Sequence, residues 1–140
     1  MTTTYDEIYS MFLGKIEDFD IKNTMELDYD MGQELLCDFL KSSIPKFTYC
    51  TKNLADRYDD ISSFNITLTD MEKEILATLM VVEYLSPKIL RDELLENNLS
   101  SKDYRIFSPA NQIKEIRELR ATYKSEANSL MMEYYYSQEI

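Results

Sequence analysis

The side chains that could do chemistry in this sequence are carboxylates, because the chain has 26 aspartates and glutamates and no histidine. The lack of histidine excludes His-based triads, His-ligated zinc sites and an imidazole general base. The best acid/base candidate is Glu83, which follows an apolar run, although a carboxylate at a helix edge or paired with an arginine explains it more simply. We therefore predict that the protein is not an enzyme and uses no cofactor.

Two short acidic runs resemble fragments of a calcium-binding loop, one at Asp18 and Asp20 and one at Asp28 and Asp30. Counted from Asp18, the loop lacks the glycine at its sixth position and the glutamate at its twelfth. The chain's two glycines are isolated, so no glycine-rich phosphate loop occurs in the sequence. The runs are predicted to be solvated acidic loops without a metal.

Charge is distributed unevenly along the chain. The net charge is −11. Residues 1–40 hold ten acids and two lysines, a net of −8, and residues 41–140 account for the remaining −3. A chain of this sign repels nucleic-acid phosphates as a whole. The asymmetry could instead orient a subunit in an assembly, because complementary fields select partners.

The composition indicates the elements that must position these charges. The hydrophobic share is 44%, with only two glycines and three prolines, which favours long helices joined by few turns. We predict one domain over residues 1–140, an all-α helical bundle of four to five helices with a long C-terminal helix and an extended C-terminal tail as one option. The longest nearly apolar run, Ile75 to Val82, is too short to cross a membrane, and no signal peptide is expected. Cys37 and Cys50 are expected to be reduced thiols in a cytosol.

The first two helices are predicted from a capping pattern and from apolar spacing. The segment 4–7 fits a capping box, and Ile8, Phe12 and Ile16 then recur every four residues on one face. A second helix runs from about Asp30 into the forties. Pro45 should kink or end it, and residues 47–54 could continue it beyond the kink.

The second half of the chain carries clearer start signals. Residues 56–68 are predicted to be a loop, although the alternation of Phe64, Ile66 and Leu68 permits a short strand. A capping box at 69–72 opens a buried central helix. Ser-Pro pairs at 86–87 and 108–109 then predict two further helix starts, the second opening a helix over roughly 109–135.

A row of basic residues follows one face of this last helix, and we call it the basic row. Its members are separated by three, three and four positions: Lys114, Arg117, Arg120 and Lys124. Two interpretations stay open. The row is either a solvated flank with ion pairs one turn apart, or a subunit contact that receives an acidic surface, such as the first 40 residues of a neighbour.

The C-terminal segment is unusually aromatic for a chain end, with three consecutive tyrosines at 134–136. Tyrosine is a favoured anchor in interfaces because it offers large area with few rotatable bonds. Either the last turn packs on the protein's own core with one or two rings exposed, or an extended tail inserts into a partner.

Three stretches resemble a family of small proteins from tailed bacteriophages of Gram-positive hosts: residues 67–72, ILATLMVVEYLSPKI (75–89) and KDYRIFSPANQIKEIRELR (102–120). The family is that of head–tail connectors of the adaptor, or neck, type. The similarity extends over nearly the whole chain, and its motifs are packing and capping features.

The resemblance implies an all-α subunit of a dodecameric ring that joins the portal to the tail-side or head-closure neck protein. The ring would extend the channel through which DNA passes without specific binding. The protein would be assembled in the host cytoplasm, reside in the virion neck, and make no contact with a membrane. The docking segment for the portal would cover about 130–140, through Leu130, Met131, Tyr134, Tyr135 and Tyr136.

An acidic channel wall fits passing DNA, because carboxylates do not neutralise phosphates. The residues proposed for this wall are Glu17, Asp18, Asp20, Asp28, Asp30, Glu34 and Asp38. An alternative from another functional class is an acidic inhibitor that mimics DNA and binds a nuclease or a repressor. Such a mimic should place its acids in a continuous exposed row.

Overall fold

The computed structural model describes residues 2–16, 29–98 and 110–138. These residues are mostly helical and include a small antiparallel sheet. In chain order the elements are α1 (Tyr5–Lys15), α2 (Tyr29–Ser43), β1 (Arg57–Tyr58), β2 (Ser63–Phe64), α3 (Asp70–Asn98) and α4 (Ala110–Ser137). The helical character and the long last helix are confirmed, and the two short strands are an addition to the all-α prediction.

Helix α3 is the element on which α1, α2 and α4 all pack. Its first half is apolar on nearly every face, and Ile75, Leu76 and Met80 are completely buried. A helix that is apolar all round must be covered on several sides. One hydrophobic cluster joins α3 to Phe12 of α1 and Leu36 of α2, and it also takes in Ala127 of α4.

Both predicted capping boxes contribute to helix starts. Before α1, the Glu7 carboxylate accepts a hydrogen bond from the Thr4 N–H at 2.9 Å. Before α3, the Glu72 carboxylate accepts from the Thr69 N–H at 2.7 Å, and the Glu72 N–H donates to the Thr69 hydroxyl at 3.2 Å. These bonds satisfy N–H groups that have no partner inside the helix.

The helix start predicted at residues 86–87 is wrong, because α3 continues through Pro87. Proline removes one main-chain donor and so leaves the Glu83 carbonyl without its helical partner. The ring of Pro87 is exposed, so the lost bond falls on the solvent side, while Tyr84 and Leu85 remain buried in the core. The Ser86 hydroxyl donates to the Val82 carbonyl at 2.9 Å within the same turn. The two helices predicted here are therefore one.

Of the two outcomes predicted for Pro45, the structure shows the helix end, and the continuation permitted for residues 47–54 is wrong. Helix α2 ends at Ser43, and a 3₁₀ turn spans Ile44–Lys46 with Pro45 in its centre. The chain then runs through turns and bends to residue 56. Phe47 and Leu54 of this loop are buried, so the apolar residues that suggested a helix serve as core contacts of a loop.

Residues 3–5, just before and at the start of α1, form backbone hydrogen bonds with the segment around β2. Arg57 pairs with Phe64 and Tyr58 with Ser63, and Thr4 forms a further antiparallel bridge with Ser63. Of the three alternating residues that permitted a strand, only Phe64 lies in one. The buried Thr3 hydroxyl accepts a hydrogen bond from the Leu68 N–H at 2.8 Å. This contact fixes the entry into α3.

Replacing Thr3 with valine is expected to lower the free energy of unfolding by about 2 kcal/mol, because the Leu68 N–H would be left buried and unpaired. Urea denaturation measures the change. The matched control is Thr2→Val at the exposed neighbouring position. Equal stability of the two variants would contradict the structural role given to the Thr3 hydroxyl.

Among the described residues, no helix has the combination of length and apolar character needed to cross a bilayer.

Candidate functional site

A buried carboxylate holds the C-terminal end of α4 against the start of α3. Glu72 is 1% exposed. Its carboxylate accepts hydrogen bonds from the Tyr134 hydroxyl at 2.7 Å and from Lys52 Nζ at 3.0 Å. We call the group the Glu72 cluster, and its members are Thr51, Lys52, Thr69, Glu72 and Tyr134.

The Tyr134 hydroxyl is the centre of this cluster, since it also accepts a hydrogen bond from the Thr51 N–H at 3.0 Å. The Thr51 hydroxyl lies 2.7 Å from the same oxygen. Tyr134 therefore joins α4, the loop after α2 and the start of α3 in one hydrogen-bonded group. Such a network restricts the position of the helix end.

Protonation in the cluster follows from its contacts. Burial by itself raises the pKa of the Glu72 carboxyl, but the hydrogen bonds that the carboxylate accepts outweigh burial, and its pKa lies below the ordinary value. Burial raises the pKa of the Tyr134 hydroxyl above its ordinary value. Glu72 is thus an anion at neutral pH and Tyr134 is a neutral donor.

Next to the Glu72 cluster, three tyrosine rings form an exposed surface that we call the tyrosine patch. The Tyr135 ring centroid lies 4.8 Å from that of Tyr49 and 5.5 Å from that of Tyr136. Their exposed fractions are 45% for Tyr49, 38% for Tyr135 and 59% for Tyr136. Aromatic area of this kind on a rigid support is typical of an interface anchor.

A groove of about 400 Å³ opens between α2 and α3. It is lined by Asp38, Phe39 and Ser42 on α2 and by Glu83, Ser86 and Pro87 on α3. Lys46 Nζ lies 3.1 Å from Glu83 Oε1, so Glu83 is an ion-paired carboxylate whose partner is a lysine rather than the arginine that the sequence suggested. In the parts of the chain that the structure describes, no group of carboxylates and thiols is arranged to hold a metal ion.

The two cysteines do not form a disulfide bond. Cys37 on α2 and Cys50 in the following loop are both partly buried and unbridged. Burial raises the pKa of the Cys50 thiol. A raised pKa lowers the thiolate fraction and so makes this thiol a poor nucleophile.

Comparisons with protein-family models, with curated proteins and with solved structures find no match for this chain.

The five residues predicted to dock to the portal are divided between core and surface. Met131 and Tyr134 are buried at 6% and 2% exposure, and Leu130 is partly buried. Helix α4 continues to Ser137, so the segment to that residue is not an extended tail. Of the two alternatives, the structure shows the last turn packed on the protein's own core. Among the five residues, only Tyr135 and Tyr136 expose rings that a partner could contact.

The basic row likewise has exposed members and one half-buried member. Lys114, Arg117 and Lys124 are exposed, whereas Arg120 is half-buried and donates from Nε to Ser86 Oγ at 2.9 Å. Lys114 Nζ lies 4.0 Å from Glu118 one turn away. Arg120 thus belongs to the packing of α4 on α3, and the other three members form the accessible part of the row.

Of the seven acids proposed for a channel wall, Glu17, Asp18, Asp20 and Asp28 lie outside the described residues. Asp30, Glu34 and Asp38 are exposed on α2, each four residues from the next, and we call them the acidic row. Four-residue spacing places them on one face of the helix. Their exposure is compatible with a channel wall and equally with a protein partner.

Tyr49 is the surface residue that sequence reasoning missed. The continuation of α2 that the sequence permits would place Tyr49 inside a helix, whereas Tyr49 lies in the loop that follows Pro45. Its contact with Tyr135 joins segments far apart along the chain. Local patterns carry no signal for such a contact. The consecutive tyrosines at 134–136 were the available sign that one side of it is an aromatic surface.

Proposed function

We propose that this protein is a structural subunit of a bacteriophage neck, where a ring of its copies joins the portal to a tail-side or head-closure protein and extends the DNA channel. The observation that carries the proposal is the tyrosine patch, at the end of α4 where the resemblance locates the docking segment. The patch is exposed, and the Glu72 cluster beside it fixes the helix end. A preorganised anchor reduces the entropy lost on docking.

Charge supports the channel part of the proposal. The net charge of −11 repels DNA, so the genome could pass without being retained by specific contacts. The dodecameric ring number comes from the family resemblance, and the location would be the virion neck after assembly in the host cytoplasm.

Immunogold labelling of purified virions tests this proposal. The virions must come from the phage whose genome encodes this chain, and antibodies against the purified protein serve as the probe. We expect gold at the single vertex where the tail joins the head. Complete particles that neither bind the antibody nor contain the protein by mass spectrometry would refute a structural role in the neck.

A second candidate, an acidic inhibitor that mimics DNA, is favoured by one observation. The acidic row is a continuous exposed line of carboxylates with a rise of about 6 Å per step. On the next turn, however, Lys41 interrupts the line, and its Nζ lies 3.8 Å from Asp59 Oδ2. A line of three charges is short for a phosphate backbone. Inhibition of a nuclease by the purified protein would support this second candidate.

A further inference from the structure

We propose that the acidic row of α2, together with the groove beside it, receives the exposed part of the basic row of α4 from a second copy of this chain. The inference rests on the proposed function, because it specifies how subunits of the ring meet. It also assigns Asp30, Glu34 and Asp38 to a subunit contact rather than to the channel wall.

The two rows are opposite in charge and similar in length. Asp30, Glu34 and Asp38 extend over eight residues of helix, or about 12 Å. Lys114 and Lys124 delimit the basic row over ten residues, or about 15 Å. Two helices lying side by side can therefore bring all three carboxylates near cations of the other copy. Opposite fields of this kind steer encounter and set register.

The acidic row is available for such a contact. Within the described residues, Asp30, Glu34 and Asp38 form no ion pair of 4 Å or less. Other carboxylates of the chain do form such pairs. Unpaired carboxylates four residues apart repel one another along a helix. A cationic helix from another copy would relieve that repulsion.

The groove offers a place for one long cationic side chain. Phe39 and Pro87 supply apolar surface, and the carboxylates of Asp38 and Glu83 lie among the lining residues. Lysine and arginine bury an apolar stem while keeping the charged head near an anion or water. Because Asp38 belongs to both the groove and the acidic row, one basic helix could use the two features together.

The location of the rows on two different helices is compatible with a ring. The acidic row lies on α2 and the basic row on α4, and both helices pack on α3. A contact between α2 of one copy and α4 of another can be made reciprocally by two copies, as a two-fold dimer, or repeated head-to-tail from copy to copy. The proposed ring requires the head-to-tail form. Head-to-tail contacts produce rings when the rotation between copies closes.

Charge-swap variants test the inference by sedimentation velocity at low salt. One variant carries Asp30→Lys, Glu34→Lys and Asp38→Lys, and the other carries the basic-to-acidic set Lys114→Glu, Arg117→Glu and Lys124→Glu. Each alone should weaken self-association by about 100-fold or more, because like charges would then face each other. An equimolar mixture of the two, and a chain carrying both sets, should recover assembly. Added salt should weaken the wild-type assembly.

The control for the acid-row variant changes three other exposed acids to lysine: Asp60→Lys, Glu115→Lys and Glu126→Lys. It alters the net charge by the same amount and in the same direction as the acid-row variant does. It should associate as the wild type does. All substituted side chains are exposed, so circular dichroism and thermal midpoints should show that every variant is folded.

A wild type that stays monomeric at its highest soluble concentration in low salt would overturn the inference, as would a mixture of variants that fails to recover. Acid-row variants that assemble normally but give particles that retain their DNA would also overturn it and would assign these acids to the channel. Charge-dependent assembly of a protein absent from virions would support this contact and refute the neck function.

Discussion

Replacing Glu72 with glutamine is expected to lower the free energy of unfolding by about 3 kcal/mol, the low end of the range for removing one partner of a buried ion pair. The carboxylate is 1% exposed and accepts hydrogen bonds from Lys52, Thr69 and Tyr134. Glutamine keeps the size of the side chain but loses the charge and one acceptor oxygen. The loss stays at the low end because the Lys52 side chain is 35% exposed and can be resolvated.

The Glu72 carboxylate should also make the free energy of unfolding depend on pH in the acid range. Its pKa is lower in the folded protein than in the unfolded chain, where a glutamate titrates near pH 4.3. The unfolded state therefore takes up the proton first as the pH falls. The stabilisation is complete above about pH 4.3 and is lost as the pH drops through the lower folded-state value.

Urea denaturation between neutral pH and about pH 2 measures both effects. Wild type should lose more stability over the acid range than Glu72→Gln, so the two curves should converge. Glu126→Gln, at an exposed position on α4, is the control and should follow the wild-type curve. Curves for wild type and Glu72→Gln that coincide at neutral pH would show that the Glu72 cluster does not hold the helix end.

Removing the tyrosine patch is expected to abolish most of the affinity for the portal. Truncation of an interface tyrosine commonly costs about 2 kcal/mol, or roughly 30-fold in affinity. The double variant Tyr135→Ala with Tyr136→Ala should therefore bind the portal at least about 100-fold more weakly. Tyr49→Ala alone should also weaken binding, because its ring supports that of Tyr135.

Surface plasmon resonance with immobilised portal measures these affinities. Tyr58→Ala is the matched control, since Tyr58 is 53% exposed and lies on the small sheet outside the patch. The patch variants should retain the wild-type thermal midpoint because none of the three rings belongs to the buried hydrophobic cluster. Portal binding that is unchanged in the double variant would remove the patch from the docking surface.

Local chemistry made much of the helical architecture predictable. The Thr69–Glu72 capping box depends on residues three positions apart, and the structure shows both of its hydrogen bonds. The four-residue spacing of Ile8 and Phe12 likewise produced a buried face. Patterns of this length are determined by helix geometry itself.

The errors arose where tertiary packing decides between local alternatives. Pro87 can begin a helix or lie inside one, and here core packing of the neighbouring turn outweighs one lost main-chain bond. Leu119 of α4 is apolar but 46% exposed, whereas Ala127, two turns further along the same helix, is completely buried. Apolar spacing identifies a stripe without stating how far the covering element extends.

The tyrosine patch was predictable on one side only. Tyr135 and Tyr136 stand out in the sequence, whereas the ring of Tyr49 comes from a loop whose apolar spacing also permits a helix. The burial of Tyr134 depends on Glu72 and Thr51, which no local pattern connects to the chain end. Contacts between distant segments follow from the fold, so they became visible only in three dimensions.

Electron microscopy of the purified protein mixed with the portal encoded in the same genome tests the neck assignment most directly. We expect stacked rings, in which this chain adds a second annular layer beneath the portal and continues its central channel. Bare portal rings beside a protein that remains monomeric and instead blocks a DNA-binding enzyme would contradict the assignment.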